Sequence, residues 1–258
     1  MKWFNRCKLD WLVARQGCLT ATDVKELLPE TKAGYKRKIG NEQYTKILSK
    51  KTMHLSEDDC MSFGAAARGH VLEPYAIKFF NENMDDAPTL YHWDDFVVTR
   101  KEHVPYGLAF SPDAFSIKQV QSDDCMGTVS GFDIVAEVKC YAPDKHMLCG
   151  STAKENLDER WQLAVAMAVC EDIKTAYLIF YNPSLADQMY VVVYDRKDLE
   201  DEIETVLEVE KKWLEWIDKP SVEVNKTITG DATNEEEIIA EIMEKERLAP
   251  DCEKSVML

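Results

Sequence analysis

The chain lacks any apolar run near the roughly 20 residues that a membrane-spanning helix needs. Its opening stretch, Met1-Lys2-Trp3-Phe4-Asn5-Arg6, holds no signal-peptide apolar region, so the expected setting is cytoplasmic, with no membrane partner. Eight cysteines are present, but none form a Cys-x-x-Cys pair, which removes the usual zinc-ribbon spacing. Reduced thiols in a cytosolic protein are the expectation for Cys140, Cys149 and Cys170. The five histidines show no ligand spacing; His70, three before Glu73, would share a helix face with it and reads as a surface histidine. No internal repeat is visible. Positive charge is also scarce, with a net of −16, which excludes a uniformly basic nucleic-acid binder.

What is present is unevenly placed. Residues 1–54 carry 12 Lys and Arg against 5 Asp and Glu, whereas residues 195–258 carry 9 basic against 20 acidic groups. A basic N-terminal stripe can hold phosphates locally on an acidic protein. Hydrophobic content of 45% with 10% aromatics fits a globular chain large enough to bury a sizeable core. The expected organisation is one domain over 1–219, with a basic helical arm at 1–54 and a core at 60–195, followed by an acidic tail at 220–258.

Periodicity and turn signals predict helices at 4–17 and 41–54, and a short one after Thr22 as N-cap. A polar loop is expected at 31–40. A longer helical segment is expected at 60–84, with Pro74 marking a kink or a new start. Strands are expected near 94–100, 104–110 and 132–140, the last two separated by a polar insertion with turn composition at Gln121-Ser122-Asp123-Asp124. A helix over 154–171 should carry Leu157, Trp161, Ala164, Val165 and Ala168 on one face. Strands near 174–181 and 189–195, an acidic amphipathic helix at 198–217 and a short helix at 234–247 complete the order. That order predicts an α/β (α+β) fold, a mixed central sheet flanked by helices.

Two motifs carry chemistry. Tyr106-Gly107-Leu108-Ala109-Phe110-Ser111-Pro112-Asp113 reads as a strand ending in a proline turn. Phe132-Asp133-Ile134-Val135-Ala136-Glu137-Val138-Lys139 reads as a second strand. Side chains two apart on a strand share a face, so Glu137 and Lys139 project together, and the turn can bring Asp113 beside them. Two converging carboxylates suit a hard divalent cation such as Mg²⁺ or Mn²⁺. A lysine there can orient or deprotonate a water, or stabilise charge growing on a phosphate.

Together with Gln162 on the following helix, Ser111-Pro112-Asp113 and Glu137-Val138-Lys139 resemble the PD-(D/E)XK nuclease core, a restriction-endonuclease-like fold. Within that superfamily the chain is similar to the YqaJ-like viral recombinases, the phage lambda exonuclease family. Trp11, Arg15, Gly17 and Thr20-Ala21-Thr22 follow the N-terminal pattern of that group, and Gly69-x-x-x-Glu73-x-x-Ala76 follows its helix motif. The resemblance spans about residues 8–195. It implies that Asp113 and Glu137 bind metal, with the Val138 carbonyl completing the shell, and that Lys139 activates or positions water. It implies that Glu73 helps hold a metal or its water, and that Gln162 orients the substrate or Lys139. Arg15 and Thr22 would hold a terminal 5′-phosphate, Arg through a bidentate fork and Thr through a hydroxyl at a helix start.

Thr22 stands where serine is commoner, and Ala164 where some relatives place a second glutamine. The implied activity is a Mg-dependent exonuclease resecting duplex DNA ends 5′ to 3′. Its implied partners are DNA, a single-strand annealing protein and further copies of the chain. A viral source would place it in the host cytoplasm, or in the nucleus of a eukaryotic host. Two alternatives are a Cas4-like nuclease with an iron–sulfur cluster and a non-catalytic DNA-end or partner-binding module on the same fold. The first lacks the closely spaced C-terminal cysteine trio.

Overall fold

The computed structural model describes residues 12, 15–29, 38–53, 64–92, 97–99, 106–116, 120–121, 128–129 and 132–218, with backbone alone at 65–66, 120–121 and 128–129. Most of the helix expected at 4–17, the loop at 31–40, the middle of the 117–131 insertion and the whole tail from 219, with its helix at 234–247, lie outside the described residues.

Nine strands and six α-helices are described. In chain order the helices are α1 (Ala21–Leu27), α2 (Asn41–Thr52), α3 (Ala65–Asn83), α4 (Pro143–Ser151), α5 (Arg160–Val169) and α6 (Glu200–Ile217). The strands are β1 (Tyr91–His92), β2 (Val98–Thr99), β3 (Ala109–Phe110), β4 (Ala114–Phe115), β5 (Val120–Gln121), β6 (Thr128–Val129), β7 (Ile134–Lys139), β8 (Thr175–Tyr181) and β9 (Met189–Asp195). Five of them form a mixed sheet in the order β1-β4-β7-β8-β9, in which only β7 and β8 run parallel. The expected α/β architecture, a mixed central sheet flanked by helices, is the one observed. Two short hairpin pairs, β2–β3 and β5–β6, lie apart from it.

The sequences of β7 and β8 explain their central place. Ile-Val-Ala-Glu-Val-Lys and Thr-Ala-Tyr-Leu-Ile-Phe-Tyr are nearly continuous apolar runs, as strands covered on both faces require. Alternate residues go to opposite faces. Val135, Ala176, Leu178 and Phe180 pack with α5 and α6 in the larger core. Ala136, Val138, Ile179 and Tyr181 pack against Ala76, Ile77 and Phe80 of α3 in the smaller one. Each of these large apolar side chains contributes about 1.5–3 kcal/mol on burial. The parity leaves Glu137 and Lys139 on the α5 face.

Several elements differ from expectation. Pro74 does not start a new helix: α3 is one helix of 19 residues with the proline inside it and exposed. The helix expected at 154–171 is broken into a 3₁₀ turn at Lys154–Asn156 and the shorter α5. Leu157 causes the break. Its extended backbone sends the side chain into the core, and Arg160 Nη1 donates to its carbonyl at 3.0 Å. From Leu163 to Cys170 every residue is buried, so α5 is enclosed by the fold instead of lying on it by one face. Helix α1 begins after Thr20, not Thr22. The Asp23 carboxylate accepts from the Thr20 amide at 2.9 Å, the reciprocal bond of a capping box. Helix α4 was not expected; Pro143 opens it and His146 and Cys149 face inward. A Cβ on its Gly150 would meet the Tyr190 ring at 2.5 Å, so this packing admits only glycine without a shift of the ring.

The strand that leads to Asp113 is braced from both ends of the described chain. Leu19 pairs in parallel with Leu108, its amide donating to the Gly107 carbonyl at 2.9 Å and its carbonyl accepting from the Ala109 amide at 3.0 Å. From α6, buried Glu210 accepts the Leu108 amide at 2.8 Å, and Trp213 Nε1 donates to the Tyr106 carbonyl at 2.9 Å. Tyr106 itself has φ of 63°, a conformation that costs a non-glycine residue about 1–2 kcal/mol. Trp213 and Trp216 stack on each other and around Tyr44, joining α6 to α2. Among the described residues no helix is long and apolar enough to cross a membrane.

Candidate active site

The proline turn places Asp113 at the end of β7, as its sequence position led us to expect. Asp113 Oδ2 accepts the Val138 amide at 2.7 Å, and His92 Nδ1 donates to the Asp113 carbonyl at 2.8 Å. The residue is therefore held by the strands on both sides of it. On β7, Lys139 Nζ donates to Glu137 Oε1, and the same oxygen accepts Gln162 Nε2 at 2.6 Å. Gln162 thus orients Glu137, not Lys139. Glu73 reaches the same place from α3 and lies in one cleft with Asp113, Val138 and Lys139. His70, exposed on α3, stands 3.5 Å from Glu73 Oε2.

Electrostatics bind these groups together. Burial pushes the Asp113 carboxyl well above the usual range, and the charges of Glu137 and Glu73 push it further, against the opposing pull of Lys139 and the Val138 amide. Burial alone would lower the Lys139 ammonium, but Glu137, Asp113 and Glu73 outweigh it and its pKa is raised. Lys139 is thereby held as a cation at neutral pH, suited to donating a hydrogen bond or stabilising negative charge.

Two cavities are lined by these residues. One, of about 660 Å³, is lined by Arg68, Glu73, Asp113, Lys139, Tyr141 and Asn182, among others. The other is much smaller, about 60 Å³, and Arg15, Thr20, Thr22, Ser111, Glu137 and Gln162 lie in its wall. Glu137 lines the smaller one and is hydrogen-bonded to Lys139, which lines the larger. Arg15 is half-buried; burial lowers its pKa, while Asp23, Glu137, Cys18 and Asp113 raise it in part. Asp23 is itself buried, accepting from the Thr20 hydroxyl at 2.6 Å and paired with Lys51 at 2.6 Å. Thr22 is exposed at the small pocket's wall. The eight positions singled out in the sequence therefore divide between the two cavities, four in the lining of each.

The donor set suits a hard cation in kind. Asp113 and Glu137 each keep one oxygen, Oδ1 and Oε2, that no described protein donor takes. Among the described residues no three His, Cys, Asp or Glu side chains converge as a complete metal cluster. Two carboxylates with the rest of the sphere left to water and phosphate oxygens is the habit of Mg²⁺.

Four contributors were not anticipated. Tyr141 donates to Glu159 Oε1 at 2.6 Å, Arg68 Nη1 donates to the carbonyls of Cys140 and Tyr141, and Asn182 Nδ2 donates to the Tyr141 carbonyl at 2.9 Å. Tyr141 lies two beyond Lys139 and Glu159 three before Gln162, spacings that could have drawn notice to both.

No protein-family model matches this chain, and no curated protein sequence does. Among solved structures it is similar to the alkaline exonuclease LHK-Exo from Laribacter hongkongensis, at 18% identity and a TM-score of 0.48, over 81% of this chain and 96% of that one. LHK-Exo in complex with dAMP is similar at the same identity and TM-score, over 80% of this chain and 94% of that one. At that distance the site stands on its own geometry.

Proposed function

We propose that this chain is a metal-dependent deoxyribonuclease that digests duplex DNA ends, 5′ to 3′, with Mg²⁺ or Mn²⁺. The observation that carries this reading is the gathering of Asp113, Glu137 and Lys139 at one end of β7, with Glu73 and Gln162 beside them. Asp113 and Glu137 would hold the cation, with Glu73 and the Val138 carbonyl within the same cleft wall. The bound ion would supply Lewis acidity to a phosphoryl oxygen of the scissile group.

The chain's own residues do the rest. Lys139, kept protonated by its carboxylate neighbours, donates toward the phosphate or the attacking water and stabilises the charge that develops there. Gln162 fixes the rotamer of Glu137 through Oε1 and so leaves Oε2 for the cation. In the small pocket Arg15 gives the terminal 5′-phosphate a cationic partner, with the Thr22 hydroxyl at its rim. A single-strand annealing protein and further copies of this chain are the proposed partners in recombination.

The test is cleavage of a 5′-phosphorylated duplex. Mg²⁺ or Mn²⁺ should support release of nucleotides, EDTA should stop it, and Ca²⁺ should bind without turnover because its looser, larger coordination sphere positions water poorly. Equal digestion in EDTA would overturn the metal assignment. DNA left intact in every metal, with binding retained, would make the chain an end-binding module.

A further inference from the structure

Glu137 and Lys139 share one side of β7, and Tyr141, two residues past its end, packs against the same core; Glu159 stands at the N-cap of α5, three residues before Gln162. Two hydrogen bonds of equal length cross the gap. Gln162 Nε2 reaches Glu137 Oε1 at 2.6 Å, and the Tyr141 hydroxyl reaches Glu159 Oε1 at 2.6 Å. Lys139 sits between these two rungs.

The second rung is the more heavily anchored. Glu159 is buried and is also approached by Lys145 Nζ at 3.7 Å, which lies 3.4 Å from the centre of the Tyr141 ring. The Tyr141 carbonyl accepts from Arg68 of α3 at 3.1 Å and from the fully buried Asn182 at 2.9 Å. One residue is thus tied to α3, to the turn after β8, to α4 through Lys145 and to the start of α5. Burial and the bond to Glu159 both raise the Tyr141 phenol, so it remains a hydrogen-bond donor at neutral pH.

We infer that Tyr141 is a positioning residue for the proposed reaction: by holding Glu159 it sets the rotation of α5 against β7 and so aims Gln162 at Glu137. The inference rests on the nuclease reading for its catalytic meaning. Tyr141 lies outside the motifs that carry that reading.

The test couples two substitutions. Tyr141→Phe keeps the ring and its contact with Lys145 but removes the hydroxyl. It should lower kcat about tenfold with KM unchanged, the scale of one lost hydrogen bond to a charged group. In a Gln162→Ala background the same change should cost less than about twofold, because the group it aims is gone. Glu159→Ala should match Tyr141→Phe, and Glu159→Gln, which retains an acceptor for the hydroxyl, should recover most of the loss.

Amide hydrogen exchange on the protein without DNA or metal gives the independent readout. In Tyr141→Phe the amides of Arg160, Trp161 and Gln162 should exchange several-fold faster while those of β8 stay as they were. Unchanged exchange in that turn, or an equal kcat loss with and without Gln162, would overturn the inference. A wild-type chain that cuts no DNA would remove the nuclease reading, and the exchange result would still decide whether Tyr141 holds α5 against β7.

Discussion

The two cavities linked by the Lys139–Glu137 hydrogen bond are opposites. The larger gathers carboxylates: Asp113 and Glu73 face Lys139 there, and burial together with like charge pushes the Asp113 carboxyl upward. The smaller presents Arg15 beside hydroxyls and Glu137, whose Oε1 already accepts from Lys139 and Gln162, while nearby Asp23 is engaged by Lys51 and Thr20. The first concentrates negative charge in a partly dry place, which is unfavourable until a cation arrives. The second offers positive charge in a space the size of a phosphate group. The comparison teaches that one bonded pair on β7 spans the two: Lys139 lines the cation-seeking cavity and Glu137 the anion-seeking one.

Breaking the carboxylate side should have the largest effect. Asp113→Ala and Glu137→Ala should each reduce DNA cleavage by at least about 10²–10³-fold, the scale seen when a transition-state electrostatic contact is removed. Circular dichroism should show both variants folded, and full activity in either would remove the metal-site assignment.

The cationic side is sharpened by changing the DNA end. Wild type should favour a 5′-phosphate over a 5′-hydroxyl by about 10–100-fold, from the roughly 1.5–3 kcal/mol of a charge-assisted contact. Arg15→Ala should flatten that preference while slowing the hydroxyl substrate much less. Equal losses on both ends would make Arg15 a general backbone contact.

Smaller effects concern what holds the two sides in place. Glu210→Ala leaves the Leu108 amide without its α6 acceptor and should lower stability by about 1–3 kcal/mol in urea unfolding. Asp113→Asn should do the reverse in the metal-free protein, raising stability by about 1 kcal/mol at neutral pH. The sign follows from the raised pKa. Below the ordinary carboxylate range Asp113 is protonated folded or unfolded, so the variant gains nothing there. Its advantage appears as pH rises and the wild-type carboxyl is forced to ionise in a buried place. A stability difference independent of pH would contradict the direction of the shift.

Much of the β7 end was legible because its signals are local. Glu137 and Lys139 are two apart, and Ser111-Pro112 is turn chemistry that brings Asp113 round. Strands β8 and β9 were read from long apolar runs. The edge strand β1 and its neighbour β4 have two residues each and leave no period to read. Helix α5 was read too long because Leu157 and Trp161 fit its apolar period while the backbone at 157–159 is diverted by Leu157's own burial. Thr22 precedes an apolar stretch and so suggests a cap, although Thr20 and Asp23 have capping-box spacing. The ties from Trp213 to Tyr106 and from Glu210 to Leu108 join residues about a hundred positions apart, and no local pattern announces them.

Those last ties set an order of events during synthesis. Every side chain proposed for the reaction is in the chain once Gln162 has been added. The backbone at Tyr106, in its unfavourable conformation, has to wait for Trp213 and Glu210 to leave the ribosome before it is braced. At about 5–20 residues per second the interval lasts some seconds. A nascent chain would therefore hold all of the side chains proposed for the reaction before the strand that leads to Asp113 is braced.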